Sequence, residues 1–489
     1  MLKSLTQRGY ETVSPSTRQR SREAPAFPSK PGLPSTKHSA AQEKTHALTS
    51  IASLVSTSTT VLRRGHKLSY AALFAFTLVL YARPGEFYPS PLTASIALVF
   101  GLVMLGFFIP TQLALEGMLT ARPREVNLVL LFCLAGLLSI PLAISAPIAW
   151  HEFSGSFIRC IVVFIVMVNV VRTKGRLKAL LFLALATGLW LSVGVINDYR
   201  LGLTTVEGYR VAGRGSGIFG NPNDLALFLV TIVPVVVALA CNSRHPVHKL
   251  FFGSTAMVMI VAIALTYSRG GFLGLLVALG FFAWRVSPRR RIGIIIAGCL
   301  GVGIFLALVP GYGIRLISIF LPSLDPVGSA DARRAELFRS IYVAFRHPIF
   351  GVGMGNYAAE MSHHGQVTHN AYTHVAAEMG MAALICYTMF IVTPLKKLGQ
   401  IARETFGTRA NSDFYYLAVG LQASLLGYMV SSFFASVAYL WYVYYLVAYA
   451  VCLRRLYEAE TGKLVIVETR RQKSNKQKDV AAFIGEGTR

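Results

Sequence analysis

The sequence predicts an all-α integral membrane protein of about twelve transmembrane helices, with a large outward-facing loop before the third-from-last helix. Three observations carry this expectation. Of the 489 residues, 54% are hydrophobic and only 14% are charged, a balance foreign to soluble multidomain chains. The apolar residues fall in a dozen long runs. The 47 Lys and Arg against 22 Asp and Glu, a net charge of +25, lie almost entirely between those runs and at the two ends of the chain. The charge excess therefore marks topology. A nucleic-acid partner is not expected, because no aromatic interleaving or folded module accompanies the basic ends.

Residues 1–67 carry 11 Lys or Arg and 3 acidic residues among scattered Pro, Ser and Thr. They contain no apolar stretch able to pack or to act as a signal-peptide core, so a disordered basic cytoplasmic tail is expected. The polytopic domain spans 68–453, with apolar runs near 68–82, 92–111, 126–149, 155–171, 177–195, 225–241, 250–266, 271–286, 292–310, 373–392, 414–435 and 437–453. A helix of ~20 apolar residues crosses the bilayer core and satisfies its own backbone. Every second connection is basic, with Arg122 and Arg124, Arg172 to Lys178, Arg244 and Lys249, Arg285 to Arg291, and Lys396 to Arg409. These connections and both termini are placed in the cytoplasm. The connections around 83–91, 150–154, 196–224, 267–270 and 311–372 then face outward. Residues 454–489, with 9 basic and 5 acidic residues, form a second cytoplasmic tail facing solvent or lipid headgroups. Six Cys lie in or at the ends of apolar runs as small hydrophobes, and no Cys pairing suggests a disulfide framework.

Three outward connections carry polar residues that topology leaves unexplained. The first ends Arg210-Val-Ala-Gly-Arg214-Gly-Ser-Gly-Ile-Phe-Gly220-Asn221-Pro222-Asn223-Asp224. Asn221 suits an N-cap, Pro222 the first helical position, and Asp224 the place from which a capping-box acid reaches back. The glycines also permit close backbone approach, and the positive end of the next helix lies beside Arg210 and Arg214. The motif reads either as a cap with water-facing arginines or as an anion-binding mouth. The second connection, Thr266-Tyr-Ser-Arg269-Gly-Gly, is so short that Arg269 must sit at or just inside the interface. Its guanidinium either snorkels to headgroups or meets a carboxylate, carbonyls or a phosphate, and its forked donors favour a lipid-linked phosphate.

The third connection, 311–372, contains an amphipathic stretch from Ala330 to Phe345. There Arg333, Arg334, Glu336 and Arg339 interleave with Leu337, Phe338, Ile341 and Val343, and a helix along the membrane surface is expected. Gly351, Gly353 and Gly355 imitate half of a dinucleotide fingerprint. That reading is set aside, because no strand–helix–strand unit surrounds them and they face away from the cytoplasm. His363, His364, His369 and His374 follow, without a Cys and at no standard ligand spacing, so no metal is assigned. His369, beside Asn370 at a helix start, is the candidate base. His374 and Glu378 are four apart on one helix face. They suit a buried pair, a support that orients the base, or, for Glu378, a clamp to another helix.

Three stretches, GRGSGIFGNPNDLA (213–226), YSRGGFLGL (267–275) and HPIFGVGMGNY with THNAYTHVAAEMG (347–380), stand in this order on the outward side. Together they resemble the O-antigen ligase and polysaccharide polymerase superfamily of bacterial inner-membrane proteins, over about residues 200–450. The resemblance implies a glycosyltransferase working on the outer face of the cytoplasmic membrane, with neither nucleotide sugar, metal nor other cofactor. Its donor would be a glycan on polyprenyl (undecaprenyl) pyrophosphate, and its partners a glycan or lipid-core acceptor and membrane lipids. By similarity Arg214 and Arg269 hold the pyrophosphate and His369 activates the acceptor hydroxyl. Arg210 has no firm counterpart and joins them by proximity, while Asn221, Asn223, Asn370, His374 and Glu378 are supporting residues. Polymerisation in O-antigen or exopolysaccharide synthesis is the preferred expectation. Ligation to lipid A-core or protein differs only in the acceptor. Transport of a solute or bicarbonate is a separate class, disfavoured because the polar residues gather at one face and no inverted duplication is visible.

Overall fold

The computed structural model describes residues 65–462 except 204–205, 214–218, 287–290, 309–310, 320, 322, 324–328, 363–364 and 410–412. The expected tail segments 1–64 and 463–489, and Arg214, His363 and His364, lie outside the described residues.

Among the described residues each of the twelve apolar runs contains helix, the run at 126–149 being broken at 140–145. The elements are α1 (Lys67–Ala82), α2 (Pro91–Glu116), α3 (Arg124–Ser139), α4 (Ala146–Val170), α5 (Lys174–Arg200), α6 (Pro222–Asn242), α7 (Pro246–Leu265), α8 (Arg269–Val286) and α9 (Arg291–Leu308). They continue with α10 (Ser329–Arg346), which lies in the long connection, and α11 (Ala371–Glu404), α12 (Asp413–Ser431) and α13 (Trp441–Glu460). Among the described residues nine helices are long and apolar enough to cross a membrane. They are α1, α2, α4 to α8, α11 and α12, and the expectation of about twelve crossings depends on α3, α9 and α13 as well. The chain is a multi-pass membrane protein.

The helix starts follow local chemistry. The Ser90 side chain accepts from the Thr93 N–H ahead of α2, and Pro91 takes the first helical position. Asn221 accepts from the Asn223 N–H ahead of α6, with Pro222 first in the helix as expected. The connection expected at 150–154 is instead helical, because α4 runs through it with a π turn at Phe153–Phe157. Its polar residues are absorbed within the helix: Ser154 Oγ donates to the Trp150 carbonyl at 2.7 Å and Ser156 Oγ to Glu152 at 3.4 Å. A hydroxyl bonded back to its own preceding turn lets a polar stretch remain helical. The break falls earlier, at 140–145.

α6, α12 and α13 are buried almost all round, whereas α2 and α9 present most of their side chains outward. Small residues let the central helices approach. A Cβ on Gly270 would come within 2.7 Å of Phe434, one on Gly271 within 2.6 Å of Ala226, and one on Gly420 within 2.7 Å of Ala238. Ser431 Oγ donates to the Gly270 carbonyl at 3.0 Å. Packing of this kind replaces the hydrophobic drive that helices lack within lipid.

The end of the bundle carrying the basic connections is clamped by ion pairs. Lys178 meets Asp413 at 2.5 Å, and Asn242 donates to the same carboxylate at 2.8 Å. Arg172 meets Glu116 at 2.5 Å. α13 continues to Glu460, past the residue 454 at which the tail was expected to begin, and Arg454 forms a forked pair with buried Glu125 of α3 at 2.5 and 2.8 Å. Arg454→Met leaves that carboxylate buried without its partner and is expected to cost about 3 kcal/mol or more. Glu125→Met combined with Arg454→Met should recover most of the loss, read as the thermal midpoint of purified protein.

Candidate active site

At the opposite end, the connection after α5 folds into a tight loop in which Val206 and Arg210 exchange backbone bonds at 3.3 and 3.0 Å. The reversal places Glu207 and Gly208 at φ 53° and 75° and brings Glu207, Tyr209 and Arg210 to one place. Arg210 is only 2% exposed. Its guanidinium donates to the Thr266 carbonyl at 2.9 Å, to Glu207 at 3.2 Å and to Asn223 at 2.9 Å. Arg315, on the short helix Tyr312–Ile317, donates to the Tyr267 carbonyl at 2.9 Å, to Glu207 at 2.9 Å and to the Tyr209 hydroxyl. Tyr312 donates to the Ser268 carbonyl at 3.1 Å. Three consecutive carbonyls of the α7–α8 turn are thus held by three different side chains. Tyr267, at φ 49°, is a strained residue kept in place by this bracket.

Arg269 opens α8 directly after the bracket and is 5% exposed. Ser268 Oγ caps the helix by accepting the Gly271 N–H at 3.2 Å. Burial alone would raise the Glu207 carboxyl, but the Tyr209 hydroxyl and the guanidiniums of Arg315 and Arg210 outweigh it and hold the carboxyl below its usual range. Burial and the bond to Glu207 push the Tyr209 phenol up to about 12.

α10 contributes the next cation. Its inner face carries Glu336 and Ser340, with Arg333 one turn earlier. Glu336 accepts from the Tyr357 hydroxyl at 2.7 Å and from Ser362 at 3.1 Å, while Ser340 donates to Thr373 at 2.9 Å. The outer face exposes Phe338, Tyr342 and Phe345, as suits a helix lying in a membrane interface. Burial, then the charges of Arg210, Arg269 and Arg315, lower the Arg333 guanidinium to about 10, still a cation at neutral pH.

His369 stands at φ 51° immediately before α11. Asn370 caps that helix, its side chain accepting the Tyr372 and Thr373 N–H groups at 2.9 and 3.1 Å. Thr368 beside it bonds Ser436 at 3.0 Å. Burial first, then Arg333, hold the imidazole down at about 4, with Glu336 opposing. At neutral pH His369 is therefore uncharged and able to accept a proton.

The glycine-rich stretch has a structural task. α11 breaks at Gly380, where φ is 84°. The Val352 and Gly353 N–H groups donate to the Ala377 and Glu378 carbonyls, both at 2.9 Å, and the Met381 N–H donates to the Pro348 carbonyl at 2.7 Å. The loop splices itself onto the backbone groups freed by the break. Glu378 accepts the Tyr357 N–H at 3.3 Å and faces His374 at 3.2 Å, and the His374 ring lies 4.9 Å from that of Tyr439. Of the supporting roles open to His374 and Glu378, this arrangement is the buried pair. Among the described residues no three His, Cys, Asp or Glu side chains are grouped so as to hold a metal ion.

Residues 254–388 match the family model described as Wzy_C, O-Antigen ligase. Over that stretch the chain is similar to the O-antigen ligase family. No curated protein matches it. The matched segment runs from the middle of α7 to the middle of α11, taking in Arg269, Arg315, Arg333, His369, Asn370, His374 and Glu378. Glu207, Arg210 and Asn223 approach it from outside the matched residues. Of the expected site residues, Arg210, Asn223 and Arg269 meet around the α7–α8 turn, and Arg333 lies within electrostatic reach of Arg210, Arg269 and His369. Arg210 differs from expectation in committing donors to three protein partners. The sequence reading passed over Glu207, Tyr209 and Arg315 and gave Arg333 only a place on a surface helix. An arginine in an outward connection was the available signal for Arg315, as it was for Arg269.

Proposed function

We propose that the chain is a glycan transferase acting on a polyprenyl-pyrophosphate-linked oligosaccharide, on the outer face of the bacterial inner membrane, in O-antigen or exopolysaccharide assembly. The observation that supports it is the pairing of Arg210 and Arg315 on one carboxylate, Glu207, with Arg333 in electrostatic reach of both, of Arg269 and of an uncharged His369. In the proposed reaction the acceptor hydroxyl gives its proton to an imidazole nitrogen of His369 while its oxygen bonds the anomeric carbon. The bond from that carbon to the phosphate oxygen breaks, and its electron pair leaves on the pyrophosphate. Arg269 and Arg214 neutralise the oxygens on which this charge develops, with Arg333 adding to the field. Displacement in one step inverts the anomeric centre. Polymerisation and ligation share this donor chemistry. The description of the matched family favours ligation as the second reading, and only the acceptor separates them.

Purified protein in lipid, given the host's polyprenyl-linked oligosaccharides with and without a lipid-core acceptor, tests both readings. A ladder on the polyprenyl carrier marks a polymerase and one transferred glycan marks a ligase. Absence of either product would return solute transport to consideration. Arg269→Lys keeps the charge and loses the paired donor geometry. It is expected to lower kcat/KM about 10- to 100-fold, equivalent to roughly 1.4–2.8 kcal/mol, and unchanged turnover would refute a forked phosphate clamp.

A further inference from the structure

We propose that Arg333 makes proton uptake by His369 depend on occupancy of the arginine cluster, suppressing the base while the anion site is empty and releasing it when a pyrophosphate arrives. The inference rests on the transferase reading above. Its geometric basis is the way α10 is fastened to the segment that carries His369. Ahead of the imidazole, Glu336 accepts from Ser362 at 3.1 Å and Arg339 donates to the Met361 carbonyl at 3.0 Å. Behind it, Ser340 bonds Thr373 at 2.9 Å. Arg333, one turn before Glu336 on the same face, is thereby held within electrostatic reach of His369 as well as of Arg210, Arg269 and Arg315. Among the described residues the charged groups bearing on His369 are Arg333 and Glu336, and Glu336 already serves Tyr357 and Ser362 as hydrogen-bond acceptor. Arg333 is therefore the charge that a bound anion would change.

An anion seated among the arginines adds negative charge close to Arg333 and weakens its repulsion of an imidazolium. Proton affinity at His369 then rises toward the range in which a base is effective near neutral pH. Linkage requires the reciprocal effect: protonated His369 binds the anion more tightly, so pyrophosphate affinity increases as pH falls through the His369 titration. Arg333 is on this account a positioning residue that acts through the base. Suppression in the empty site also keeps the base from activating water or an acceptor before a donor is present.

The test is an NMR titration of protein in lipid nanodiscs carrying histidine labelled at the ring Cε1, with the His369 signal assigned by its loss in His369→Asn. Inorganic pyrophosphate is the probe, its binding followed independently by phosphorus NMR. Saturating pyrophosphate is expected to raise the His369 titration midpoint by about one unit or more. In Arg333→Gln the midpoint without pyrophosphate should already lie above the wild-type one, burial still holding it below the ordinary ~6.5, and should move little on binding, whereas Arg333→Lys should respond like the wild type. Pyrophosphate that binds without moving the wild-type His369 midpoint overturns the coupling and leaves the transferase reading standing. Failure of pyrophosphate to bind overturns both. The wild-type comparison decides the question even if Arg333→Gln does not fold.

Discussion

His369→Asn is expected to reduce glycan transfer about 10²- to 10⁴-fold, the range associated with loss of a general base, while leaving inorganic pyrophosphate affinity nearly unchanged. Asparagine is the informative replacement because it tolerates the left-handed backbone better than most residues, and His369 sits at φ 51°. The unequal effect on turnover and affinity follows from charge. Burial and Arg333 keep His369 uncharged at neutral pH, so its removal deletes no cation from the anion site. A cationic phosphate ligand would give the opposite pattern, with affinity falling alongside rate. Transfer by His369→Asn above a tenth of the wild-type rate excludes His369 as the base.

Gly351→Ala is expected to destabilise the protein strongly. Its φ of 68° disfavours any side chain, and a Cβ there would overlap the Glu378 carbonyl group. Two costs combine, left-handed strain and a collision with backbone that cannot swing away, and together they are expected to reach about 3 kcal/mol or more. Gly280, with open space around its Cα, is the control. Gly280→Ala inside α8 should be neutral or stabilising by up to roughly 1 kcal/mol. Thermal unfolding of the two purified variants provides the comparison, and a Gly351→Ala midpoint equal to wild type would show that the splice onto α11 yields without strain.

What the sequence made legible divides along physical lines. Runs of apolar residues declare helices because a chain in lipid has few other ways to satisfy its backbone, and among the described residues each of the twelve runs contains helix. The cap at Asn221 was readable because capping is a local matter, settled within three residues. Arg269 stood out by its position against the inside rule. The same rule applied to Arg315, but the length of the 311–372 connection hid it. Its partners Glu207 and Tyr209 lie more than 100 residues away in sequence, and no local pattern announces such a meeting. Arg333 looked like one charge among several on an amphipathic helix, and only the packing of α10 on α11 selects it from Arg334 and Arg339. The polar stretch at 150–154 misled for a complementary reason: a helix with a π turn absorbs serines that composition assigns to a loop.

The bracket over the α7–α8 turn bears on how this protein could be recombined with others. Two helices meeting at so short a turn would ordinarily take their mutual angle from the turn itself. Here Arg210, Arg315 and Tyr312 each hold one carbonyl of Thr266, Tyr267 and Ser268, so the direction in which α8 sets out is fixed by residues about fifty positions away on either side. A graft of α7 and α8 alone into another scaffold would carry the Arg269 side chain without the residues that aim it. The smallest transplantable part is discontinuous, made of the turn, the 206–210 loop and the 312–317 helix together.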